Sequence, residues 1–507
     1  MADQDLPPER LAAVFASFVR QIVSGASRES PLLDKIVEHL GTDPAQLPVT
    51  LEQFDTFEQP NLQVAIDAYL RQDGNSAELV GVSMENKRFM SPGLSELVTR
   101  SDTFLGSLKE GPVDYTNYHL ANDEVLACVQ FGLYLVKAGD ARLAVLVTGA
   151  SDMGDPRRQK LRLEVMSARA SDASVFIDEI RRLSDRLNVY RGHAISLTPG
   201  SIHIGPGPQT LVQFQAVPRV GREDVVLPAG LLERIERQTV TFSEHAEELL
   251  RSGRSLKRGM LLFGLPGTGK TLTVMYLMGR MPDRTVILTT GRGLGLIQTV
   301  ATMARRLAPS MVVLEDVDLV AEERTTPGFG AAPVLFELLN EMDGLRDDQD
   351  VIFVLTTNRP DILEPALAAR PGRVDLAVEL PLPDAEGRRH LLELYSRGLV
   401  FAGVDLDRLV DQIEGATPAY IKELLRKATL RALEAGAGKN LRQADIDGAL
   451  DELAQGGRLA ERILGFRPEQ SGPPPGMPPR PAVSVPQGVA TGFPAQVVIR
   501  RDKDSTR

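Results

Sequence analysis

An eight-residue segment near the middle of the chain constrains the fold more than any other feature. Residues 264–271 read Gly-Leu-Pro-Gly-Thr-Gly-Lys-Thr, which matches G-x-x-x-x-G-K-[ST] at every position. The apolar residues 260–263 before it are typical of a buried strand, and an apolar helical run begins at Leu272. A strand, a glycine-rich loop and a helix in this order predict a unit of an α/β sheet whose backbone amides surround phosphate oxygens.

The residues of this loop have separate expected roles in binding a nucleotide. Lys270 supplies positive charge to the β- and γ-phosphates, and the hydroxyl of Thr271 is a magnesium ligand. The positive end of the following helix points at the same anion. The expected nucleotide-binding residues of this segment are Gly264, Pro266, Gly267, Thr268, Gly269, Lys270, Thr271 and Leu272. A nucleoside triphosphate with Mg²⁺ is therefore the expected ligand.

A second apolar stretch ends in two carboxylates. Residues 311–314 are apolar, and Glu315 and Asp316 follow directly. Because ligands of open α/β sheets bind at the carboxyl ends of the strands, both side chains are expected beside the phosphate loop. We expect Glu315 in the shell of the magnesium ion, through water, and Asp316 as the base that orients the attacking water. Asp318 is a candidate structural support. The alternative interpretation is an acidic loop without a chemical role.

Apolar periodicity divides the chain into five expected regions. Residues 1–110 carry helical spacing and predict a helical region, and residues 111–220 predict a mixed α/β domain. Strands alternate with helices over residues 221–384, which predicts a P-loop NTPase parallel sheet sandwiched by helices. The pattern of residues 385–466 predicts a small α-helical unit. Residues 467–507 are rich in proline and are expected to be a disordered tail.

Individual elements follow from the same patterns. The expected strands of the P-loop domain are residues 259–263, 285–289, 311–314 and 351–356. Ahead of it, the expected helices are residues 8–24, 31–40, 61–71 and 172–187. The expected strands there are residues 125–136, 143–148, 161–166, 193–197 and 211–217.

Charge and composition argue against several classes of protein. The formal net charge is −11 and the pI is about 5.3, so the long-range field repels nucleic acid. No apolar run approaches the roughly 18 residues that a membrane-spanning helix needs. Cys128 is the single cysteine, and the acidic N-terminus lacks a signal peptide's apolar core, so a cytoplasmic location is expected. The six histidines form no H-E-x-x-H motif, so no attached zinc protease is expected.

Together these motifs resemble those of the AAA ATPases over residues 225–465. Residues 338–345 are similar to the family's stretch ahead of the fourth core strand. Residues 354–361, Val-Leu-Thr-Thr-Asn-Arg-Pro-Asp, resemble its sensor-1 segment. The resemblance implies that Asn358 forms a hydrogen bond with the attacking water or the γ-phosphate.

A further resemblance implies a site that is shared between subunits. Residues 364–367 and 370–375 are similar to the family's second region of homology. By that match Arg370 and Arg373 are arginine fingers that reach the nucleotide of a neighbouring subunit, where a cation stabilises charge on the γ-phosphoryl oxygens. The spacing ahead of Gly372 is one residue longer than is common in the family. The relative roles of the two arginines therefore stay open.

The helical segment 385–465 is similar to the lid of the family. Tyr395 stands where members often have a nucleotide-contacting histidine. Residues 415–421 match the turn that leans on adenine, with Pro418 and Ala419 in the places of the usual Gly-Ala. The resemblance implies that Ala419 contacts the nucleotide. The Tyr-Ile pair that follows is assigned either to this contact or to the core.

Two features depart from the common family pattern. The order Glu315-Asp316 reverses the usual Asp-Glu and resembles the membrane-associated AAA translocases that move folded iron–sulfur proteins across the mitochondrial inner membrane. Because both carboxylates remain, hydrolysis is still expected, at a slower turnover. Residues 289–296, where members often place an aromatic pore residue, contain no aromatic ring. Residues 323–332, with Phe329, are either a second pore-facing loop or a surface loop.

These observations lead to a principal hypothesis and two rivals. The first is an ATP-hydrolysing motor that assembles as a homo-oligomeric ring, hexameric or similar, and remodels, translocates or disassembles a protein partner held through residues 1–220. The second is an ATP-regulated scaffold or switch whose nucleotide state controls assembly. A helicase loader or other nucleic-acid-linked member is the third, and the acidic charge argues against it. The proline-rich tail is either a docking segment for a partner or a solvated tail, and no membrane contact is implied.

Overall fold

The structure is a computed structural model of the 507-residue chain. It describes residues 31–83, 92–98, 109–149, 160–197, 212–289, 296–318, 340–342, 344, 346–361 and 374–455. The helix expected over residues 8–24 and the disordered tail expected over residues 467–507 lie outside the described residues.

A seven-stranded antiparallel sheet organises the first part of the described chain. Its strands are β1 (Val49–Phe54), β2 (Asn75–Ser83), β3 (Lys109–Gly111), β4 (Asp114–His119), β5 (Val125–Ala138), β6 (Ala141–Thr148) and β7 (Leu161–Ser167). The order across the sheet is β1-β7-β6-β5-β2-β3, and β4 pairs with β5. Strands β5 and β6 form the hairpin that the sequence predicts.

Helices cover both faces of this sheet. They are α1 (Pro31–Leu40), α2 (Gln59–Leu70), α3 (Leu94–Val98) and α4 (Ala170–Arg186). Helices α1 and α3 bury Leu32 and Leu94 in one core with Leu133 of β5. Helices α2 and α4 bury Leu62 and Phe176 in a second core on the opposite face. The apolar faces of all four helices therefore pack against one sheet.

The expectation of a helical region over residues 1–110 is wrong for the described part of that range. Its helices at α1 and α2 are confirmed, but β1, β2 and β3 also lie there and belong to the same sheet as β4 to β7. Strand β1 pairs with β7, whose residues follow more than a hundred positions later. Because a strand's partner is not visible in local periodicity, the pattern of residues 49–54 alone does not reveal it.

A second seven-stranded sheet carries the phosphate loop. Its strands are β8 (Ala194–Leu197), β9 (Val212–Phe214), β10 (Arg258–Phe263), β11 (Thr285–Thr289), β12 (Ser310–Leu314), β13 (Val351–Thr357) and β14 (Leu376–Glu379). The order is β14-β10-β13-β12-β11-β8-β9, parallel from β14 to β8, with β9 antiparallel to β8. The predicted parallel α/β sheet is confirmed. The assignment of β8 and β9 to a separate domain over residues 111–220 is corrected, because β8 hydrogen-bonds to β11.

Helices also cover both faces of the second sheet. They are α5 (Leu231–Glu236), a π-helical turn (Arg237–Thr241), α6 (Phe242–Glu244), α7 (Ala246–Arg251), α8 (Lys270–Arg280) and α9 (Ile297–Arg306). Helix α9 packs on the face that carries Phe353 and Leu355 of β13. Helices α5 and α8 pack on the face that carries Ile352 and Val354. Because side chains alternate along a strand, the continuous apolar run of β13 supplies both cores.

A small helical unit follows the second sheet. It contains α10 (Ala385–Tyr395), β15 (Val400–Ala402), α11 (Leu406–Gln412), α12 (Pro418–Glu434), β16 (Asn440–Arg442) and α13 (Gln443–Gln455). At the start of α12, the Thr417 hydroxyl accepts a hydrogen bond from the Tyr420 N–H at 3.2 Å, and Pro418 stands at the first helical position. Both features favour a helix that begins here. They fix the end of α12 that meets the phosphate loop.

Candidate functional site

The phosphate loop joins the end of β10 to the start of α8. Gly264 has φ +152° and Gly267 has φ +82°, both values that residues with a Cβ rarely adopt. A Cβ on Gly264 would lie 2.5 Å from the Leu380 carbonyl oxygen, and one on Gly267 would lie 2.8 Å from the Ala419 Cβ. Glycine is therefore required at both positions. The loop is a close-fitting turn of backbone amides at a helix start, which is the geometry that holds phosphate.

The other predicted residues of the loop take distinct places. Pro266 is exposed at the tip, and Gly269, with φ +99°, precedes the first residue of α8. The Thr268 side chain is buried, and its hydroxyl donates to the Leu265 carbonyl at 2.9 Å. Leu272 packs against the core beneath α8.

Two side chains at the start of α8 carry the expected charge and metal chemistry. Lys270 is buried, and its Nζ donates to the carbonyl oxygens of Gly264 at 3.0 Å and Leu265 at 2.9 Å. Burial lowers the pKa of its ammonium group, and the charges of Asp316 and Asp318 oppose that change. Thr271 is exposed, so its hydroxyl is accessible to a metal ion.

The predicted acids lie at the carboxyl end of β12, on the same edge of the sheet as the phosphate loop, with β13 between β12 and β10. Glu315 is half-buried, and its N–H donates to the Thr289 carbonyl of β11 at 3.1 Å. Asp316 is half-buried and has φ +49°, a left-handed backbone conformation that is uncommon for a residue with a side chain. Strained backbone of this kind is concentrated at functional sites.

Asn358 contacts Asp316 directly. Its Nδ2 donates to Asp316 Oδ1 at 3.2 Å. Asp318 is buried, and its Oδ1 accepts hydrogen bonds from the Thr357 hydroxyl at 2.8 Å and from the Asn358 N–H at 3.2 Å. The supporting role expected of Asp318 therefore has a structural basis, since this carboxylate holds the turn that presents Asn358.

The start of α12 lies against the phosphate loop. The Ala419 N–H donates to the Gly267 carbonyl at 3.2 Å, so the predicted lid residue reaches the loop. A small cavity lies beside this contact, and Thr268 and Pro418 are the lining residues that the sequence motifs include. Its walls come from the segment before α5, from the phosphate loop, from the turn after β14, from the start of α10 and from α12, and the residues are Val226, Leu227, Pro228, Thr268, Pro381, Pro383, Asp384, Gly387 and Pro418. No motif spacing links these segments, which meet only in the folded chain.

Of the remaining candidate residues and loops, the structure describes Tyr395 and leaves the others outside the described residues. Tyr395 packs against the core of the helical unit, its ring lies 5.9 Å from the Lys422 Nζ, and burial raises the pKa of its hydroxyl. Arg370 and Arg373 lie outside the described residues, and so do residues 290–295 and 323–332. The roles expected of these two arginines and of the loops stay predictions.

Two kinds of feature are absent from the residues that the structure describes. Within them, no group of three or more His, Cys, Asp or Glu side chains could hold a metal ion. No helix in the same part of the chain has the length and apolar character needed to cross a membrane.

Comparison with known proteins places the P-loop segment in a known family. Residues 260–382 match the family described as ATPase family associated with various cellular activities (AAA). The chain is 34% identical over 256 residues to ATP-dependent zinc metalloprotease FtsH 3 of Sphaerobacter thermophilus, covering 48% of this chain and 52% of that protein. It is 32% identical over 261 residues to ATP-dependent zinc metalloprotease FtsH of Acidimicrobium ferrooxidans, covering 49% of this chain and 39% of the relative.

A further relative is matched over most of its length. The chain is 31% identical over 283 residues to the proteasome-activating nucleotidase of Pyrococcus horikoshii, covering 51% of this chain and 69% of that protein. By contrast, it spans about half or less of the length of the two FtsH relatives. The chain therefore belongs to the AAA family of ATPases, and its P-loop domain is an ATP-hydrolysing domain that works with ATP and Mg²⁺.

Proposed function

We propose that this chain hydrolyses ATP at the edge where β10, β12 and β13 end, and that it uses the energy to remodel a protein partner. The observation that carries the proposal is the convergence of the phosphate loop, the Glu315-Asp316 pair and Asn358 at that edge. A phosphate-binding loop beside two carboxylates and an amide is the set of groups that phosphoryl transfer to water requires.

The donor set fits ATP with magnesium. The backbone of residues 264–269 and the Lys270 ammonium would hold the phosphates, since both offer donors to anionic oxygens. The accessible Thr271 hydroxyl and the Glu315 carboxylate would hold Mg²⁺, which prefers oxygen ligands and retains several waters. The bound ion supplies positive charge to the phosphate oxygens.

The chain's own residues then account for the reaction with water. Asp316 accepts a proton from the attacking water, whose oxygen forms a bond to the γ-phosphorus as the bond to the β–γ bridging oxygen breaks. Asn358 orients Asp316 through its amide. Lys270 stabilises negative charge on the phosphate oxygens, and the products are ADP and phosphate.

The proposal includes a homo-oligomeric ring, hexameric or similar, with Arg370 and Arg373 reaching the nucleotide of the neighbouring subunit. It also includes capture of a protein partner through residues 1–220. AAA members are typically oligomeric rings that act on proteins, which supports both parts. The name of the Pyrococcus horikoshii relative, a proteasome-activating nucleotidase, is consistent with action on proteins.

An ATP-regulated scaffold is the second candidate. Residues 289–296 lack the aromatic ring of a gripping pore loop, and the acids stand in the order Glu-Asp. Both features favour a protein whose nucleotide state controls assembly more than one that pulls a chain continuously.

The oligomeric state tests the ring. The Asp316→Asn variant should bind ATP without hydrolysing it, so its molar mass can be measured by light scattering with ATP and Mg²⁺, with ADP, and without nucleotide. We expect a closed ring with ATP and smaller species without it. A protein that stays monomeric at every concentration with ATP bound would contradict the shared site. Binding of a protein partner separates a motor from a scaffold. For a motor, the Asp316→Asn ring with ATP bound should retain a partner that the wild-type ring releases when it hydrolyses ATP.

A further inference from the structure

Two hydrogen bonds hold Asp316, one with Thr356 in strand β13 and one with Asn358 directly after that strand. Its carboxylate accepts a hydrogen bond from the Asn358 Nδ2 at 3.2 Å, and its backbone N–H donates to the Thr356 hydroxyl oxygen at 3.1 Å. The Asn358 contact belongs to the proposed reaction. The Thr356 contact acts on the backbone of Asp316, and the resemblance of residues 354–361 to a sensor-1 segment assigns Thr356 no role.

The polarity of Thr356 is not explained by its surroundings in the strand. Side chains alternate along β13, so Thr356 continues the row of Ile352 and Val354, which are buried against the core under α8. Thr356 itself is 2% exposed. A valine has the same shape and would complete this row without burying a hydroxyl. The hydroxyl is therefore placed where an apolar side chain would serve the core equally well.

The partner of that hydroxyl is the strained residue of the site. Asp316 has φ +49° and lies two residues beyond Leu314, which with Leu355 is the last pair of the ladder that joins β12 to β13. A left-handed conformation at a non-glycine residue persists only where its surroundings hold it. The Thr356 hydroxyl oxygen stabilises this conformation by accepting a hydrogen bond from the Asp316 N–H.

The conformation decides where the carboxylate of Asp316 goes. Rotating φ back to a negative value would move the Cβ and carboxylate of Asp316 relative to β13, while Asn358 stays fixed by Asp318. The bond between Asn358 and Asp316 would then be lost or lengthened. The Thr356 hydroxyl, the left-handed backbone and the Asn358 contact therefore form one arrangement.

We propose that Thr356 is a positioning residue for ATP hydrolysis, whose hydroxyl holds Asp316 in the left-handed conformation that directs its carboxylate toward Asn358 and the attacking water. This inference rests on the proposed role of Asp316 as the base. It assigns to Thr356 an effect on the hydrolytic step and none on the binding of ATP, because the hydroxyl of Thr356 is hydrogen-bonded to the backbone of the acid.

The chain offers a matched control on strand β11 of the same sheet. Thr285 is also fully buried, and its hydroxyl also accepts a backbone N–H, that of Gly192, at 3.0 Å. It begins β11 and so lies at the opposite edge of the sheet from the phosphate loop. Thr285→Val removes the same kind of hydrogen bond with the same change of side chain, far from Asp316.

The test is the ATPase rate of full-length variants under saturating ATP and Mg²⁺, with the affinity for ATP measured separately by titration with a fluorescent ATP analogue. We expect Thr356→Val to lower kcat at least tenfold with Kd for ATP within about threefold of the wild type, and Thr285→Val to leave kcat unchanged. Thr356→Ser keeps the hydroxyl and should retain kcat within about threefold. Thr356→Ala, which is no larger than serine, should behave like Thr356→Val.

Defined outcomes overturn the inference. Equal kcat for Thr356→Ser and Thr356→Ala contradicts it even if Thr356→Val does not fold, because these two differ only in the hydroxyl. A fall in kcat that Thr285→Val shares also contradicts it. The Asp316→Asn variant separates this result from the proposed function: if Asp316→Asn still hydrolyses ATP, the role of the base fails, whereas loss of hydrolysis there with normal Thr356→Val confines the failure to Thr356.

Discussion

Lys270 carries a charge that its surroundings make costly. Its side chain is buried and the pKa of the ammonium group is lowered by that burial, so the free energy of the charged form is higher than in water. Its hydrogen bonds go to two neutral carbonyl oxygens of its own loop. A phosphate group would supply the opposite charge and relieve this cost, which couples the folded loop to its ligand.

Replacing Lys270 should separate binding from stability. Because the folded-state pKa is lowered, the folded protein binds protons more weakly here than the unfolded chain, and the charge opposes folding at neutral pH. We expect Lys270→Met to weaken ATP binding by about 10- to 100-fold, the value of a charged hydrogen bond. The urea midpoint of the nucleotide-free protein should not fall. A lower midpoint with unchanged ATP affinity would contradict this account.

At the residue scale, the role of a site residue can be predicted from the sequence when its partners are close along the chain, and it cannot when they are distant. Lys270 and Thr271 belong to one contiguous motif, and the order of Glu315 and Asp316 is visible directly. The hydrogen bond from Asp316 to Thr356 joins residues 40 positions apart. Its acceptor is a threonine inside an apolar strand, which local pattern cannot distinguish from a residue that simply favours strands.

At the scale of elements, a buried ionic cluster joins the amino ends of several strands. Arg258 begins β10, Arg284 precedes β11 and Asp350 precedes β13. The Asp350 carboxylate accepts from Arg258 Nη2 at 2.8 Å and from Arg284 Nη2 at 2.6 Å, and the Arg258 guanidinium lies 3.8 Å from the centre of the Phe242 ring in α6. Burial lowers the pKa of Arg258 to about 10, against the opposing charge of Asp350. One carboxylate thus serves two buried cations.

Removing the Asp350 carboxylate should lower the free energy of unfolding far more than removing an exposed carboxylate nearby. Asp350→Asn removes the carboxylate that pairs with both guanidinium groups, and we expect the free energy of unfolding in urea to fall by about 3 kcal/mol. Asp347 is the matched control, because its side chain is 78% exposed and lies 3.9 Å from the Lys257 Nζ. Asp347→Asn should change the free energy by less than about 0.5 kcal/mol. Equal losses for the two variants would refute the cluster's role.

The elements show where sequence patterns succeed and fail. Strands β10 to β13 are buried on both faces, read as continuous apolar runs and lie where the sequence predicts them. Strand β1 is an edge strand with mixed burial and a distant partner, and its pattern does not reveal it. Strand β8 is predicted as a strand, but the choice of sheet depends on its pairing with β11 about ninety residues later.

At the scale of the whole molecule, the N-terminal sheet domain is joined to the ATPase domain by buried contacts. Phe57 lies in the same core as Ile195 and Ile297, and its carbonyl accepts from the Tyr190 hydroxyl at 2.7 Å. Glu58 is 2% exposed, and its Oε1 accepts from Arg306 Nη1 at the end of α9 at 2.8 Å. Its Oε2 has no hydrogen-bond partner within the part of the chain that the structure describes.

Glu58 and Arg306 differ in burial, so we expect different losses of interface stability when each is replaced. Burial raises the pKa of Glu58, so its charge is costly and depends on Arg306, whereas the Arg306 side chain is 36% exposed and also approaches Asp185. Arg306→Met should weaken the interface between the N-terminal sheet domain and the ATPase domain by about 3 kcal/mol, because it leaves the buried Glu58 carboxylate without its counter-charge. Glu58→Gln should cost less than about 1 kcal/mol, because a neutral amide needs no counter-charge.

Hydrogen exchange of the Val189 amide measures this interface, because that N–H donates to Asn61 Oδ1 in helix α2 at 2.9 Å. Faster exchange in Arg306→Met than in Glu58→Gln is the expected order. The reverse order would show that the buried carboxylate does not depend on its arginine.

The central claim is that Asp316 is the base and Glu315 a magnesium ligand in an ATP-hydrolysing site. The most direct test is single-turnover hydrolysis of ATP by Asp316→Asn and Glu315→Gln, with ATP affinity measured for each at several Mg²⁺ concentrations. We predict that Asp316→Asn binds ATP normally and loses at least about 100-fold in rate, as removal of a general base does. Glu315→Gln should require more Mg²⁺ and recover rate as the ion is raised. Hydrolysis by Asp316→Asn at the wild-type rate would contradict the account.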